Sequence, residues 1–528
     1  MAMAIFAMAT PALSLQPSLP LHNVMLHPCF STPLRFKARS GTGIFCVLQQ
    51  QQQRKEHHDR KRTGVDWGCD PLSLENGTLL KEWLSTEGLA KQKLELERVE
   101  SGGRGLVAKQ SLRQGERLLF VPSRLIITAQ SEWGCKEAGE LLKEAGVPEW
   151  PVLATYLISE ASLGRSSHWF PYIATLPQSP TSILQWTEAE VGTWLSASPV
   201  RERALDCIRD VTETYKDLQA TVFAKHPQVF PAKTYTLEAF KWAFGILFSR
   251  LVRMPSLGQL ALVPWGDMLN HSPQAAAFLD SDQSNAKAVV FVTDKSYESG
   301  EQVFISYGKR SSGELLLAYG FIPPELNPHD FVELELALNE EDPLYDAKLA
   351  ALREQGLSSP QRFPVRKDGL PEQLIAYACL VVSPATIPAH FSQMAEAATQ
   401  AGAGLDIQSI LSRDDETNAY ELILAVCENS VADYSKFLES NEVQHVDVNQ
   451  VGSIPRTSRH QMLKELAVAL CQAERRILYR LQHILRTELR TLRSKSTGDS
   501  FIGTYGKKRS NGGLFGLFKW NVDFLEKY

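Results

Sequence analysis

The sequence predicts an α+β chain: short strands in two groups, split by a long helical stretch, with a further helical region appended. Three observations carry this. Residues 94–122 hold strand patterns punctuated by glycine turns. Residues 264–321 hold two more strand patterns and close on a short capped helix. Between and beyond these blocks, over 131–254 and 371–493, apolar residues recur at helical spacing. With 528 residues, 44% hydrophobic and 22% charged, the chain has material for more than one globular domain. Its net charge of −5 argues against a whole-surface nucleic-acid binder, although a local basic patch remains compatible.

Residues 1–55 contain no Asp or Glu, are rich in Ala, Ser, Pro and Leu, and carry Arg35, Lys37, Arg39 and Arg54. That is the composition of an organelle transit peptide, with Ile44-Phe-Cys46 as a processing site. The apolar run over 1–15 also fits a secretory signal, but it lacks a positive n-region and is followed by a long basic extension. Residues 49–62, a glutamine run and then a charged stretch, are expected to be disordered, and 1–70 to lie outside the fold. No run of eighteen apolar residues occurs, so no transmembrane helix is expected. Cys29, Cys46, Cys69, Cys135, Cys207, Cys379, Cys427 and Cys471 form no C-x-x-C pair. Neither a zinc knuckle nor another metal site is indicated, and free thiols in a reducing compartment fit.

Taken in order, residues 79–89 read as a short amphipathic helix ending near Gly88, and 94–99 as a strand. Gly102-Gly-Arg-Gly-Leu-Val-Ala108 is a glycine turn that leads into a strand. Gln114-Gly115-Glu116 is a second turn, and 117–122 is a strand stopped by Pro122. Helices follow over 154–163, 187–195, 201–223 and 236–252. Phe240, Phe244, Phe248 and Leu251 mark one face of the last, with Arg250 at its end. At that place Arg250 is either a solvated charge near a helix C-terminus or a structural or substrate residue.

The stretch 264–321 organises the rest. Residues 288–292 form a β-branched and aromatic strand, and Glu298-Ser-Gly300 a turn. Residues 302–307 alternate, so Val303, Ile305 and Tyr307 share one face, and Gly308 then lets the chain turn sharply. Ser311 with Glu314 is a capping box, and Gly320 stands where a helix C′ glycine belongs. Tyr307 and Tyr319 therefore arrive from different elements that can meet in space. Ile322-Pro-Pro324 breaks the chain, and amphipathic helices follow over 371–382, 418–437 and 458–493. The last opens on a Ser458…Gln461 box. Its expected buried stripe is Leu463, Leu466, Leu470, Ile477, Leu481, Ile484 and Leu492, with Arg476, Arg480, Arg486, Arg490 and Arg493 projecting elsewhere. The glycine-rich tail over 494–528, with Lys507-Lys-Arg509, is expected to order only on a partner.

Asp267-Met-Leu-Asn270-His271-Ser272, then Phe304-Ile-Ser-Tyr307-Gly, then Glu314-Leu-Leu-Leu-Ala-Tyr319-Gly-Phe, resembles the C-terminal half of a SET domain. The branch is that of the Rubisco large-subunit methyltransferases, and the resemblance runs over roughly 75–495. It implies a SET domain of small sheets with a pseudoknot, in parts 71–128 and 256–322, split by a helical insertion over 129–255. An all-α substrate- or partner-binding domain over 323–493 would follow, between a leader over 1–70 and a tail over 494–528. The implied cofactor is S-adenosylmethionine, held by Gly103, Arg104, Gly105, Leu106, Asn270, His271 and Tyr307. Tyr307 and Tyr319 would be catalytic and align the amine of a protein lysine, while Arg250, Asp267 and Tyr319 would touch substrate. His271 is not implied as a base, and no metal is implied. The branch carries a further arginine four residues before Arg250, where Ile246 stands here, a departure that argues against Rubisco-like substrate binding. The whole chain, with its leader and arginine-rich last helix, is similar to SET-domain proteins associated with the plastid-encoded RNA polymerase. That implies the polymerase and its associated proteins as partners, with nucleic acid reached through the complex. It also implies a chloroplast location, in the stroma or nucleoid or near the thylakoid, and a role in plastid transcription. The alternative it leaves is a non-catalytic structural subunit of that complex.

Overall fold

The computed structural model describes residues 65, 67–70, 73–99, 103–254, 258–282, 288–384, 388–399, 413–441 and 459–498. The expected leader over 1–64, Gly102, the Ser458 cap and the tail beyond 498 lie outside the described residues. One expectation at this end is corrected. Residues 67–70 are packed into the fold: Trp67 meets Trp242 edge-on at 5.5 Å, and Cys69 bridges Pro177. A tryptophan beside a glycine with φ of +88° holds this segment down, against the charged composition just before it.

Helix α1 (Glu75–Thr86) stops before Gly88, which takes a φ of +90°. Strands β1 (Leu94–Arg98) and β2 (Arg104–Ala108) form an antiparallel hairpin with Leu96 opposite Leu106. Every residue of β2 is buried, because its second edge is covered by residues 300–303. The Val303 N–H donates to Leu106 O at 2.8 Å and the Ala108 N–H to Glu301 O at 2.9 Å. β3 (Arg117–Pro122) follows the turn at Gly115.

The insertion then runs through α2 (Lys136–Glu144), α3 (Glu149–Ser162), α4 (Phe170–Ile173), α5 (Glu188–Trp194), α6 (Val200–Thr221) and α7 (Leu237–Arg250). Its core is aromatic, with Phe240, Trp242 and Phe244 buried in one turn of α7. Short α2 was not expected from the sequence, since it buries only Ala138 and Leu142 and its pattern spans barely two turns. The expected helix over 236–252 ends earlier. Leu251 and Val252 belong to β4 (Leu251–Met254), which pairs with β5 (Gln259–Leu262), so a partner strand overrides helix periodicity.

Beyond it come β6 (Asn270–His271), β7 (Leu279–Ser281), β8 (Ala288–Val292), β9 (Phe304–Ile305) and α8 (Ser312–Tyr319). β3, β8 and β7 form one antiparallel sheet. β9 pairs parallel with β6, Asn270 opposite Phe304. The chain over 301–305 therefore lies between β2 and β6, which is the crossing expected of the pseudoknot. The expected strand over 302–307 shrinks to Phe304–Ile305 because its flanks bond singly, Ser306 N–H to Ala277 O at 2.7 Å and Tyr307 N–H to His271 Nδ1 at 3.1 Å.

The last part contains β10 (Val332–Leu336), α9 (Tyr345–Glu354), β11 (Gln361–Val365), α10 (Glu372–Val382), α11 (Pro388–Thr399), α12 (Arg413–Ser440) and α13 (Arg459–Gly498). The expectation of an all-helical domain is corrected by the β10–β11 hairpin, in which Leu334 faces Phe363. Pro364 masked β11 in the sequence, since proline weakens a strand reading. Leu463, Leu470, Ile477 and Leu481 of α13 are buried as expected; Leu478, Leu485 and Leu489 join them, while Leu466, Ile484 and Leu492 are only half-buried. α13 is tied back to the insertion by Arg459 and Glu190 at 2.8 Å. Further along α13, Glu474 is buried and accepts a hydrogen bond from Tyr434 of α12 at 2.9 Å.

Candidate functional site

The site begins with a strand that has no side chain at its centre. A Cβ placed on Gly105 would lie 2.5 Å from Gln302 Nε2 and 2.7 Å from Asn270 Nδ2, so a larger residue here would push these two amides away from the backbone. The space beside Gly103 is open to 4 Å. Asn270 Nδ2 donates to Arg104 O at 3.0 Å, which fastens β6 onto β2. The Arg104 side chain points elsewhere: it donates to Ser73 O at 2.8 Å and to Thr175 O. Only the main chain of Arg104 is therefore available to a ligand here, and Leu106 is wholly buried as packing.

Three rings stack in sequence. His271 lies 5.1 Å from Tyr307, and Tyr307 lies 4.6 Å from Tyr319, each pair inclined by 23°. Phe321 closes the group at 6.3 Å from both His271 and Tyr319. Gly308 and Gly320, with φ of +101° and +75°, set the two turns that bring the tyrosines together. The ring centroids are too close for a chain to pass between their faces, so Tyr307 and Tyr319 act as one surface and not as two opposed walls. The Tyr307 hydroxyl donates to Leu269 O at 2.8 Å. Burial, with Tyr319 adding to it, holds the Tyr307 phenol far above its ordinary range. Burial also raises the Tyr319 phenol, partly offset by Arg310.

His271 Nδ1 lies 3.1 Å from the Tyr307 main-chain N–H, which can only donate, and 3.3 Å from Ile305 O, which can only accept, so the two contacts call for opposite tautomers. Its Nε2 is buried and has no partner among the described residues. Burial lowers the imidazole pKa, so the ring is neutral.

Beneath the rings lies a charged knot. Arg250 Nη1 donates to Asp267 Oδ2 at 3.2 Å and to Asp267 O at 3.1 Å. Tyr172, from the four-residue helix α4, donates to the same Oδ2 at 2.6 Å. Burial pulls the Arg250 pKa down, and Asp267 more than offsets it, so the guanidinium stays charged. Asp267 Oδ1 and Arg250 Nε are both buried without a partner among the described residues. Trp265 sits two residues before Asp267 with a φ of +72°, rare for so large a residue, and its indole N–H is also unpartnered. Sequence reasoning missed Tyr172 and Trp265. Tyr172 lies in a helix too short for a periodic signal, while Trp265 shows only as a tryptophan before glycine. Ile246, four residues before Arg250, is fully buried in α7.

Gly105 thus lies against Asn270, His271 next along the chain stacks on Tyr307 and Tyr307 on Tyr319, and Asp267 pairs with Arg250, while the space beside Gly103 is open. Comparison with known proteins matches a SET domain model over residues 103–308 and a Rubisco LSMT substrate-binding model over 339–478. The chain is 29% identical to the chloroplastic Rubisco large subunit N-methyltransferase of Pisum sativum over 371 residues, covering 68% of this chain and 74% of that protein. It is 30% identical to the chloroplastic fructose-bisphosphate aldolase-lysine N-methyltransferase of Arabidopsis thaliana, covering 57% of this chain and 63% of that protein. It is also 30% identical to the actin-histidine N-methyltransferase of Xenopus tropicalis, with 56% and 52% covered. The structure of Rubisco LSMT bound to AdoMet superposes with a TM-score of 0.60 at 25% identity, covering 85% of this chain and 99% of that one. Rubisco LSMT bound to sinefungin and monomethyllysine gives 0.62 at 26% identity, covering 86% and 99%.

Proposed function

We propose, for a chain that carries a SET domain followed by a Rubisco LSMT substrate-binding domain and is close to the Rubisco LSMT-like methyltransferases, that it is an S-adenosylmethionine-dependent protein-lysine N-methyltransferase of the chloroplast. The observation that carries this reading is the Tyr307 hydroxyl, fixed by Leu269 O within the half-buried stack of His271, Tyr307 and Tyr319.

These residues fit the cofactor on their own chemistry. Bare backbone at Gly103 and Gly105 lets a flexible polar chain lie close, and the unpartnered His271 Nε2 is left for a ligand group. When bound, the cofactor supplies an electrophilic methyl on a sulfonium, and no metal is needed. The protein's part is positioning. A hydroxyl that has given its proton to Leu269 can only accept from an incoming amine, so an amine N–H points at Tyr307 and its lone pair points away. The amine must arrive neutral, since free lysine has a pKa of about 10.4. Arg250 and Tyr172 occupy Asp267 Oδ2 and leave its Oδ1 buried without a partner among the described residues. The buried wall favours the uncharged amine by desolvation. After transfer, the proton of the methylated ammonium leaves to water.

On this reading Gly103, Arg104 (through its main chain), Gly105, Leu106, Asn270, His271 and Tyr307 hold the cofactor, Tyr307 and Tyr319 act on the amine, and Arg250, Asp267 and Tyr319 face the substrate. The parts 71–128 and 256–322 form the SET unit, 129–255 the insertion and 323–493 the docking domain. The test is methyl transfer by the purified chain to chloroplast extract, read by mass spectrometry. Methyl-lysine is the expected product; methyl-histidine would reassign the acceptor, and no product would sink the enzyme.

A second reading has a specific observation behind it. Arg476, Arg480 and Arg490 are exposed on α13 and make no ion pair among the described residues, unlike Arg486 and Arg493, which pair with Glu428 and Glu421. This face suits an acidic protein surface, and the partner on this reading is the plastid-encoded RNA polymerase with its associated proteins, in support of plastid transcription. The chain would then serve as a structural subunit, with or without turnover. Complementation of a null plant separates the roles. Rescue by Tyr307→Phe but not by Arg476→Glu/Arg480→Glu/Arg490→Glu means assembly is the indispensable role; the reverse means catalysis is.

A further inference from the structure

Gln302 lies outside every residue set assigned above, yet it borders the glycine at the centre of the site. Its main chain bridges Val107 of β2, so its side chain falls on the face of β2 that carries Gly105, two residues away. Its Nε2 would be 2.5 Å from a Cβ on Gly105, beside Asn270 Nδ2 at 2.7 Å. Both groups are donors. Asn270 Nδ2 is engaged by Arg104 O, whereas Gln302 Nε2 is buried and has no acceptor among the described residues. A buried amide N–H without an acceptor costs about 1–3 kcal/mol, so an acceptor supplied by a ligand would be favoured here.

We infer that Gln302 is a cofactor-contacting residue: its Nε2–H, held over Gly105 next to Asn270, donates to the amino-acid carboxylate of the bound S-adenosyl ligand. The argument rests on the S-adenosylmethionine reading of the site and goes beyond it in naming the residue and the ligand group. A carboxylate is the fitting acceptor. Two amide nitrogens converge on a bare stretch of backbone there, no carboxylate of the protein fills the place, and a charged acceptor gains most from a neutral buried donor. Glycine at 105 then leaves room both for the approach of Gln302 and for that of the ligand.

The experiment is calorimetric titration of the full chain with S-adenosylhomocysteine, which has the amino-acid carboxylate, and with 5′-methylthioadenosine, which lacks it. Gln302→Leu and Gln302→Met keep volume and remove the donor; Gln302→Glu replaces it with a negative acceptor. Loss of one charge-assisted bond should raise the S-adenosylhomocysteine Kd by about ten- to a hundredfold in the Leu and Met variants. The Glu variant should lose more, and 5′-methylthioadenosine should bind all forms alike. Unchanged S-adenosylhomocysteine binding by the Leu or Met variant would overturn the inference. So would an equal loss of both ligands, which marks general damage, or tighter binding by the Glu variant, which would mean that an acceptor faces the ligand. Failure of the wild type to bind either ligand would instead reject the S-adenosylmethionine reading itself.

Discussion

At the scale of single residues, the site turns on which hydrogen-bonding capacity is already used. Tyr307 has one proton and gives it to Leu269 O, so Tyr307→Phe removes both that anchor and the acceptor for the amine. Turnover should fall on the order of 10²- to 10³-fold, as when one preorganised polar group is deleted, while calorimetry should find cofactor affinity little changed. A Tyr307→Phe enzyme with wild-type turnover would remove the hydroxyl from the mechanism. Asn270→Ala should behave differently. It cuts the tie from β6 to β2, so S-adenosylmethionine binding itself should weaken, by about tenfold or more. Equal binding by that variant would take Asn270 out of the site. Tyr307, Tyr319, Asn270 and His271 were legible in the sequence because they lie in contiguous runs whose order is distinctive. Tyr172 was not, since nothing local distinguishes a tyrosine that reaches Asp267 across 95 positions of sequence. The direction of the Arg104 side chain was equally hidden, for a turn sequence does not say which of its atoms faces inward.

At the scale of elements, α8 carries Tyr319 and is held at both ends. Ser311 accepts from the Glu314 N–H while the Glu314 side chain returns to the Ser311 N–H, and Gly320 takes a φ of +75°. A Cβ on Gly320 would stand 2.1 Å from Thr181 O, a main-chain atom that cannot swing aside. Gly320→Ala should therefore cost more than the roughly 1–2 kcal/mol of a left-handed residue alone, and Ser311→Ala about 1 kcal/mol, both measured by urea unfolding. A Gly320→Ala chain as stable as the wild type would contradict this packing. Both ends of α8 were readable beforehand, because caps are local chemistry. β3 and β8 were readable too, since their β-branched alternation agrees with their pairing. What the sequence concealed were elements fixed by remote partners. β4 takes two residues from a helix pattern because β5 is there to pair with it, and β11 forms around Pro364 because β10 lies alongside.

At the scale of the whole molecule, Glu474 joins parts of the chain far apart in sequence. Burial raises its pKa to about 8, offset in part by hydrogen bonds from Ser198 and Tyr434 and reinforced by Asp330 and Glu333. The ordinary value is 4.5, so the folded chain holds a proton that the unfolded chain has lost at neutral pH. Its contribution is full below 4.5, is lost as pH rises to about 8, and is constant above that. The loss is up to about 1.4 kcal/mol per pH unit within the window. Glu474→Gln should flatten the fall of thermal stability between pH 5 and about 8, and an unaltered slope would exclude Glu474 as its source. A fusion of residues 1–70 to a fluorescent protein should enter chloroplasts; retention in the cytosol or secretion would reject the transit-peptide reading. One feature of the fold bears on how the chain reaches this state at all. β2 is sealed on one edge by β1, its immediate neighbour, and on the other by residues made almost two hundred positions later. Whether the chain emerges from a ribosome or threads an import channel, its N-terminal end arrives first, and an apolar strand waits with one edge bare while the whole insertion is delivered. Such an intermediate is an invitation to pair with the wrong strand, and that exposure ends only when Val303 arrives to cover the edge.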